Sequence, residues 1–171
     1  QTSQAIHFMH VLRPPLVHRD LKTQNLVLDQ HFNIKVCDFG KTQELQGDQV
    51  TITHQDTGGS PRYMAPECFK VGERLTEKVD IWSLGCCLVE ILGGPLPYEN
   101  YPMMSDVQSR LAQGIPPMVP PWFTPNSRPI LHKCFQFDPA KRPPIHEILL
   151  TLRGLTPQDL ERCGMDTRRT A

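Results

Sequence analysis

The chain has 171 residues, and its 18 Lys+Arg balance 18 Asp+Glu, so it carries no formal net charge. That balance excludes a strongly basic nucleic-acid binder and a polyacidic tail as first readings. With 39% hydrophobic and 21% charged residues the chain fills a core of its own, at a length that suits one domain of ordinary size.

Ala5, Ile6, Met9 and Leu12 follow helical spacing, and that first helix must stop before Pro14-Pro15, because a residue preceding proline is driven out of the helical region. A polar loop follows from Val17 to Asn25. Leu26-Val27-Leu28 and Ile34-Lys35-Val36 are two short β-rich runs joined through Asp29–Asn33 as a hairpin. From Asp38 to Glu67 there is no sustained periodicity, and long segments of this kind are usually functional or mobile. Thr76 is placed to cap a helix carrying Val79, Ile81, Trp82, Leu84, Cys87, Leu88, Ile91 and Leu92, apolar almost all round and therefore buried on most sides. Gly93-Gly94-Pro95 end it. Further helices are expected over Asp106–Gln113 and Pro129–Phe137. A last one opens at Pro143-Pro144, presents Ile145, Ile148, Leu149 and Leu152, and stops at Gly154. From about Thr156 onward the chain reads as a frayed tail. The order predicts a mainly α fold with a small β-hairpin, and the 17 prolines, about twice average usage, punctuate it.

No apolar run reaches the roughly 18 residues of a membrane span, since Ile81–Leu92 is broken by Ser83, Gly85 and Glu90. Gln1 is not a start methionine and no signal pattern follows it, so a piece cut from a longer chain is expected. The six cysteines, Cys37, Cys68, Cys86, Cys87, Cys134 and Cys163, form no CxxC pair; a reduced, intracellular, cytoplasmic chain is expected. His7 and His10 stand at a spacing that suits a metal, but no further ligand is near, and a partly exposed helix face is the better reading.

The chemistry concentrates in His18-Arg19-Asp20-Leu21-Lys22-Thr23-Gln24-Asn25 and in Asp38-Phe39-Gly40 after the second strand. Asp20, Asp38 and Asn25, brought together by the hairpin, make a hard, oxygen-rich site suited to Mg²⁺. Lys22 beside Asp20 can neutralise charge on a transferring phosphoryl group.

HRDLKxxN, then DFG, then Ala65-Pro66-Glu67, with Asp80-x-Trp82-Ser83-Leu84-Gly85 and Asp138-Pro139-x-x-Arg142-Pro143 beyond, resembles the protein-kinase signature set. The likeness runs from about His7 to Leu152. It implies a protein-kinase-like fold of which this chain is the C-terminal lobe only (α+β in the whole domain), with residues 1–154 as that lobe and 155–171 as a C-terminal tail. By the resemblance, Asp20 corresponds to the catalytic base, Asn25 and Asp38 to the Mg²⁺ ligands, Lys22 to the lysine on the γ-phosphate, and Val27 to the apolar residue under the adenine ring of ATP. His18 and Phe39 would stack in the internal spine, with Gly40 completing the motif, and Asp80 would anchor the catalytic loop through its backbone. Glu67 and Arg142 match a buried ion pair, and Cys37 would line the nucleotide pocket as a small packing residue.

Lys22, Gly59–Glu67 and Pro14-Pro15-Leu16-Val17 are similar to tyrosine-kinase-like serine/threonine kinases, with Ser60 in place of the usual threonine near Asp20 and Lys22. Arg19 matches an arginine that receives an activation-loop phosphate, which makes Thr51, Thr53 and Thr57 candidate acceptors. The glycine-rich loop, the α/β-phosphate lysine and its glutamate partner are absent from these residues. The resemblance therefore implies a Ser/Thr kinase, acting on ATP and a protein substrate, whose missing N-terminal lobe partners this one in cis; the 171 residues alone are expected to be inactive. The alternative is a non-catalytic pseudokinase or scaffold fragment that binds partners. No nucleic-acid partner is expected.

Overall fold

The computed structural model describes residues 1–45, 47, 50–51, 60–101 and 103–164. The first helix, α1 (Thr2–Val11), buries Ile6 and Met9 and leaves the helical path at Leu12, ahead of the prolines. Among the described residues three antiparallel two-stranded sheets follow. β1 (Leu16–Val17) pairs with β4 (Gln43–Glu44), β2 (Leu26–Leu28) with β3 (Ile34–Val36), and β5 (Val50–Thr51) with β6 (Arg74–Leu75). The hairpin falls on the expected residues, in the register Leu26↔Val36, Val27↔Lys35, Leu28↔Ile34. Its turn is built by Asp29, whose Oδ1 accepts from the backbone of His31 at 2.8 Å and Asn33 at 2.9 Å; those backbone bonds lower the Asp29 pKa. The other two pairs were not expected, because two-residue strands are too short to show an alternating pattern.

The central helix α2 (Lys78–Ile91) is buried without interruption from Val79 to Val89, as its all-round apolar pattern predicts. Its cap is Glu77, one residue later than expected, although the Thr76 hydroxyl still accepts from the Lys78 N–H at 3.3 Å. Gly93 ends the run at φ +85°, and a Cβ there would stand 2.5 Å from the Cys163 carbonyl oxygen, so only glycine fits.

α3 (Met104–Ala112) buries Val107 and Leu111 and starts ahead of Asp106, because the Met103 carbonyl accepts from Asp106 and Val107. α4 (Arg128–Cys134) is shorter than expected: the chain turns at Phe135, which places Phe135 and Phe137 edge-on to Trp82 at 5.4 and 5.7 Å. α4 also packs on α2 at Gly85, where a Cβ would meet Cys134 Cβ at 2.8 Å. α5 (Ile145–Arg153) buries Ile145 and Ile148 and stops at Gly154.

The frayed-tail reading is corrected by α6 (Pro157–Arg162). Thr156 and Asp159 form a reciprocal capping box, Asn126 donates to the Asp159 carboxylate at 3.1 Å, and Cys163 is 1% exposed. Asp159 is held well below the usual carboxylate range, first by the Thr156 backbone and then by the side chains of Thr156 and Asn126. The six cysteines carry free thiols. Burial pushes Cys134 up to about 12 and raises Cys86 and Cys87 well above an ordinary thiol, so these three behave as small core hydrophobes. Among the described residues no helix is long and apolar enough to cross a membrane.

Candidate functional site

The loop between β1 and β2 is suspended from one buried carboxylate. Asp80, in the first turn of α2 and fully buried, accepts the backbone N–H of His18 at 2.8 Å and of Arg19 at 2.9 Å. His10 of α1 reaches the same carboxylate through Nε2 at 3.0 Å, with its side chain 5% exposed. The helix face is partly exposed as expected, at His7 and at His10 taken as whole residues, but the His10 side chain itself pairs inward. Arg19 takes the left-handed conformation at φ +66°, one that non-glycine residues adopt at a cost. The Asp80 bonds to the His18 and Arg19 N–H groups hold it there.

Asp20, 9% exposed, is fixed by its neighbours. Its N–H donates to His18 Nδ1 at 3.3 Å, Asn25 Nδ2 donates to its carbonyl at 2.8 Å, and Lys22 Nζ stands 3.3 Å from its Oδ2. Lys22 also donates to Ser60 Oγ at 2.9 Å, bringing the far end of the long segment to the loop. Because His18 Nδ1 accepts, its Nε2 carries the proton and donates to the Cys37 carbonyl at 3.1 Å. Phe39 stacks on the His18 ring at 5.3 Å, tilted by 55°. Cys37 is tied to Asn25 by its own N–H and thiol, at 2.9 and 3.3 Å from the Asn25 carbonyl. Asp38 then projects at φ +63° with its side chain exposed. Gly40 has no steric need to be glycine, since a Cβ there would meet only Asp38 Oδ1 at 3.4 Å.

The donor set suits a hard divalent cation of few protein ligands. With its amide nitrogen engaged by the Asp20 carbonyl, Asn25 has Oδ1 left as an oxygen donor, and Asp38 is a solvent-facing carboxylate. No group of three or more His, Cys, Asp or Glu able to hold a metal occurs among the described residues. A closed transition-metal cage does not fit that set. Mg²⁺ does, since it takes one or two carboxyl-type ligands and keeps water or phosphate oxygens for the rest. Val27 is 46% exposed, Leu28 62% and Phe39 53%, large apolar side chains left open to solvent in this part of the chain.

Away from the loop, Arg142 meets Glu67 in a fork at 2.6 and 2.7 Å, donates further to the Gln136 and Lys78 carbonyls, and lies over the Trp82 ring at 5.1 Å. Sequence reasoning missed a second anchor. Thr23 donates to Glu90 Oε2 at 3.0 Å and meets the Tyr63 hydroxyl at 3.1 Å, while Ser83 Oγ donates to the Tyr63 carbonyl at 2.7 Å. Burial raises both Glu90 and Tyr63, Glu90 against the opposing pull of its Tyr63 and Thr23 hydrogen bonds. The signal available was Glu90 itself, the acid that interrupts an otherwise apolar helix. Thr51 pairs through its backbone with Arg74; Thr53 and Thr57 lie outside the described residues.

The family described as protein kinase domain matches residues 1–151. The chain is 39% identical over 168 residues to a Dictyostelium discoideum protein named "Probable serine/threonine-protein kinase", covering 91% of this chain and 9% of that protein. A second protein so named from that organism is 38% identical over 160 residues, covering 91% and 16%. Protein kinase wis1 of Schizosaccharomyces pombe is 33% identical over 141 residues, covering 78% and 23%. The chain thus spans less than a quarter of each of these relatives.

Proposed function

The chain belongs to the protein kinase domain family, and on that premise we propose that it is the C-terminal lobe of a serine/threonine protein kinase transferring the γ-phosphoryl group of Mg-ATP to a protein hydroxyl. The observation that carries this reading is the loop in which Asp20, Lys22 and Asn25 are bonded to one another and hung from buried Asp80. In the reaction the substrate oxygen bonds to the γ-phosphorus as the bridging bond to the departing ADP breaks, and the hydroxyl proton passes to the Asp20 carboxylate. Lys22 sits where it can offset charge on the moving phosphoryl group, and its bond to Ser60 ties that cation to the segment a protein substrate would meet. Asn25 and Asp38 would hold Mg²⁺, which when bound neutralises phosphate charge.

The exposure of Val27, Leu28 and Phe39 supports two parts of the reading. Val27 would lie under the adenine ring, and an N-terminal lobe would cover exposed apolar residues of this region and bring the remaining phosphate-binding groups. Without that lobe the nucleotide cannot be held in line, so the 171 residues alone are inactive. Thr51, Thr53 and Thr57 stand as candidate phosphate acceptors for docking the long segment on Arg19. Arg19 already takes part in an interaction in the structure, and dephosphorylation that leaves activity unchanged would count against that regulation.

The deciding experiment is Asp20→Asn in the full-length protein. Turnover should fall by several orders of magnitude with ATP affinity nearly intact, whereas Asp38→Asn should weaken both. Near-normal turnover of the Asp20→Asn enzyme overturns the proposal.

A further inference from the structure

The catalytic loop hangs from α2 at two places. Asp80, in the first turn of that helix, holds the His18 and Arg19 N–H groups. Glu90, in its last turn, accepts the Thr23 hydroxyl at 3.0 Å. At a rise of about 1.5 Å per residue the two carboxylates stand about 15 Å apart along the helix. The loop slung between them carries Asp20 next to one support and Lys22 next to the other.

Thr23 is engaged on both sides of its hydroxyl. Its single proton goes to Glu90 Oε2, so the Tyr63 hydroxyl, 3.1 Å away, donates to Thr23 Oγ1. Tyr63 is itself pinned: Ser83 Oγ of α2 donates to its carbonyl at 2.7 Å, and its N–H donates to the Ser60 carbonyl at 2.9 Å. Two bonds therefore join the loop to the long segment, Lys22 Nζ to Ser60 Oγ at 2.9 Å and Tyr63 to Thr23. The second is anchored to α2 at both ends, through Glu90 and Ser83. Lys22 reaches out on a flexible four-carbon stem, and its extended backbone, at φ −157° and ψ 162°, gives the short 3₁₀ turn Thr23–Asn25 no side-chain cap. Asn25 is held separately, by its bond to the Asp20 carbonyl and by the Cys37 N–H and thiol on its own carbonyl.

We propose that Thr23 is a positioning residue for phosphoryl transfer: held by Glu90 and Tyr63, it sets the backbone from which Lys22 reaches Asp20 and Ser60. The placement of the loop stands without the kinase reading; the consequence for catalysis rests on it. Because Asn25 has its own supports, loss of the Thr23 hydroxyl acts on the cation and spares the nucleotide end of the site.

The test uses the full-length protein and its Thr23→Val, Thr23→Ser, Lys22→Met and Thr23→Val/Lys22→Met variants. Valine keeps the shape of threonine without the hydroxyl, and serine keeps the hydroxyl. With dephosphorylated casein as phosphoryl acceptor, Thr23→Val should lower kcat about tenfold or more with the KM for ATP within about twofold of wild type, and Thr23→Ser should recover most of the loss. In the Lys22→Met background Thr23→Val should cost less than about twofold, since the group it positions is gone. A role confined to stability would lower both backgrounds by the same factor. Amide hydrogen exchange, read by NMR without nucleotide, should be faster over residues 22–25 in Thr23→Val and unchanged at His18 and Arg19. Unchanged kcat in Thr23→Val, a parallel rise in the KM for ATP, no recovery by Thr23→Ser, or equal losses in the two backgrounds overturns the inference. Unchanged exchange over residues 22–25 overturns it whatever the activity, whereas a wild type that transfers no phosphate overturns the kinase reading and leaves exchange to decide the placement.

Discussion

Arg142→Met is expected to cost the domain a large part of its stability. Arg142 has a fully buried side chain that spends its donors on both Glu67 oxygens and on the Gln136 and Lys78 carbonyls. Methionine preserves much of the volume against Trp82 but leaves the Glu67 carboxylate, 7% exposed, without its cation. Removing one partner of a buried pair costs about 3–5 kcal/mol, against a total of about 5–15 kcal/mol for a typical domain. At about 2–4 °C per kcal/mol for a domain of this size, thermal unfolding should come roughly 6–20 °C lower, with the urea midpoint shifted and its slope unchanged. Arg142→Lys should lose an intermediate amount, since a point charge cannot fork onto two oxygens while also reaching two carbonyls. The double variant Glu67→Leu/Arg142→Met should recover much of the loss, because no lone charge remains. A single-variant loss below about 1 kcal/mol, or a double variant no better than the single, refutes the reasoning.

Three further outcomes are expected. Gly85→Ala places a methyl 2.8 Å from Cys134 Cβ and 3.0 Å from Phe135 Cε1, so overpacking should destabilise the domain by about 1–3 kcal/mol in urea unfolding; a neutral or stabilising effect would show that α4 can move freely. Glu90 has a folded pKa raised by burial, so its contribution to stability is fully present below the unfolded carboxylate value and is lost as pH rises through the folded one. Glu90→Gln should therefore gain on wild type between acidic and neutral pH, by less than about 1 kcal/mol given solvent screening, and a pH-independent difference would count against this. Asp159 is shifted the other way: its contribution is present above the unfolded value of about 3.9 and lost as pH falls toward the folded one. The Cys163 thiol should then become reactive to an acid-tolerant disulfide reagent only below about pH 4, whereas in Asp159→Asn its reactivity should not change with pH.

What was legible in the sequence and what was not divides along the range of the interaction responsible. The hairpin at Leu26–Val36 was readable to the residue, because β-rich runs flank an Asp29–Asn33 turn that satisfies its own backbone locally. The central helix was readable from its apolar circumference. α6 was also local, and its signal was present: Thr156 with Asp159 is a capping box, flanked by Leu155 and Leu160. The β1·β4 and β5·β6 pairs, the Thr23–Tyr63–Glu90 contact and the inward pairing of His10 are different in kind. Each joins residues far apart in the chain through one or two groups, so no periodicity announces it.

The candidate site itself depends on both kinds of interaction. Two non-glycine residues in the left-handed region, Arg19 and Asp38, stand at its two ends, each at a cost of about 1–2 kcal/mol relative to ordinary backbone. Neither turn supplies its own compensation. Arg19 is held by Asp80, which is remote in sequence, and the chain entering Asp38 is held by the Cys37 bonds to Asn25 and by His18, whose ring also carries Phe39. His18 therefore links the two strained ends: its backbone hangs from Asp80, its Nδ1 orients Asp20, and its Nε2 holds the carbonyl that precedes Asp38. Asp20 and Asp38 are positioned by one ring and one buried carboxylate more than by their own local sequence. This is why the motifs could be read in order from the sequence, while the mechanical connection between them became visible only once α2 was seen to place Asp80 beneath the loop.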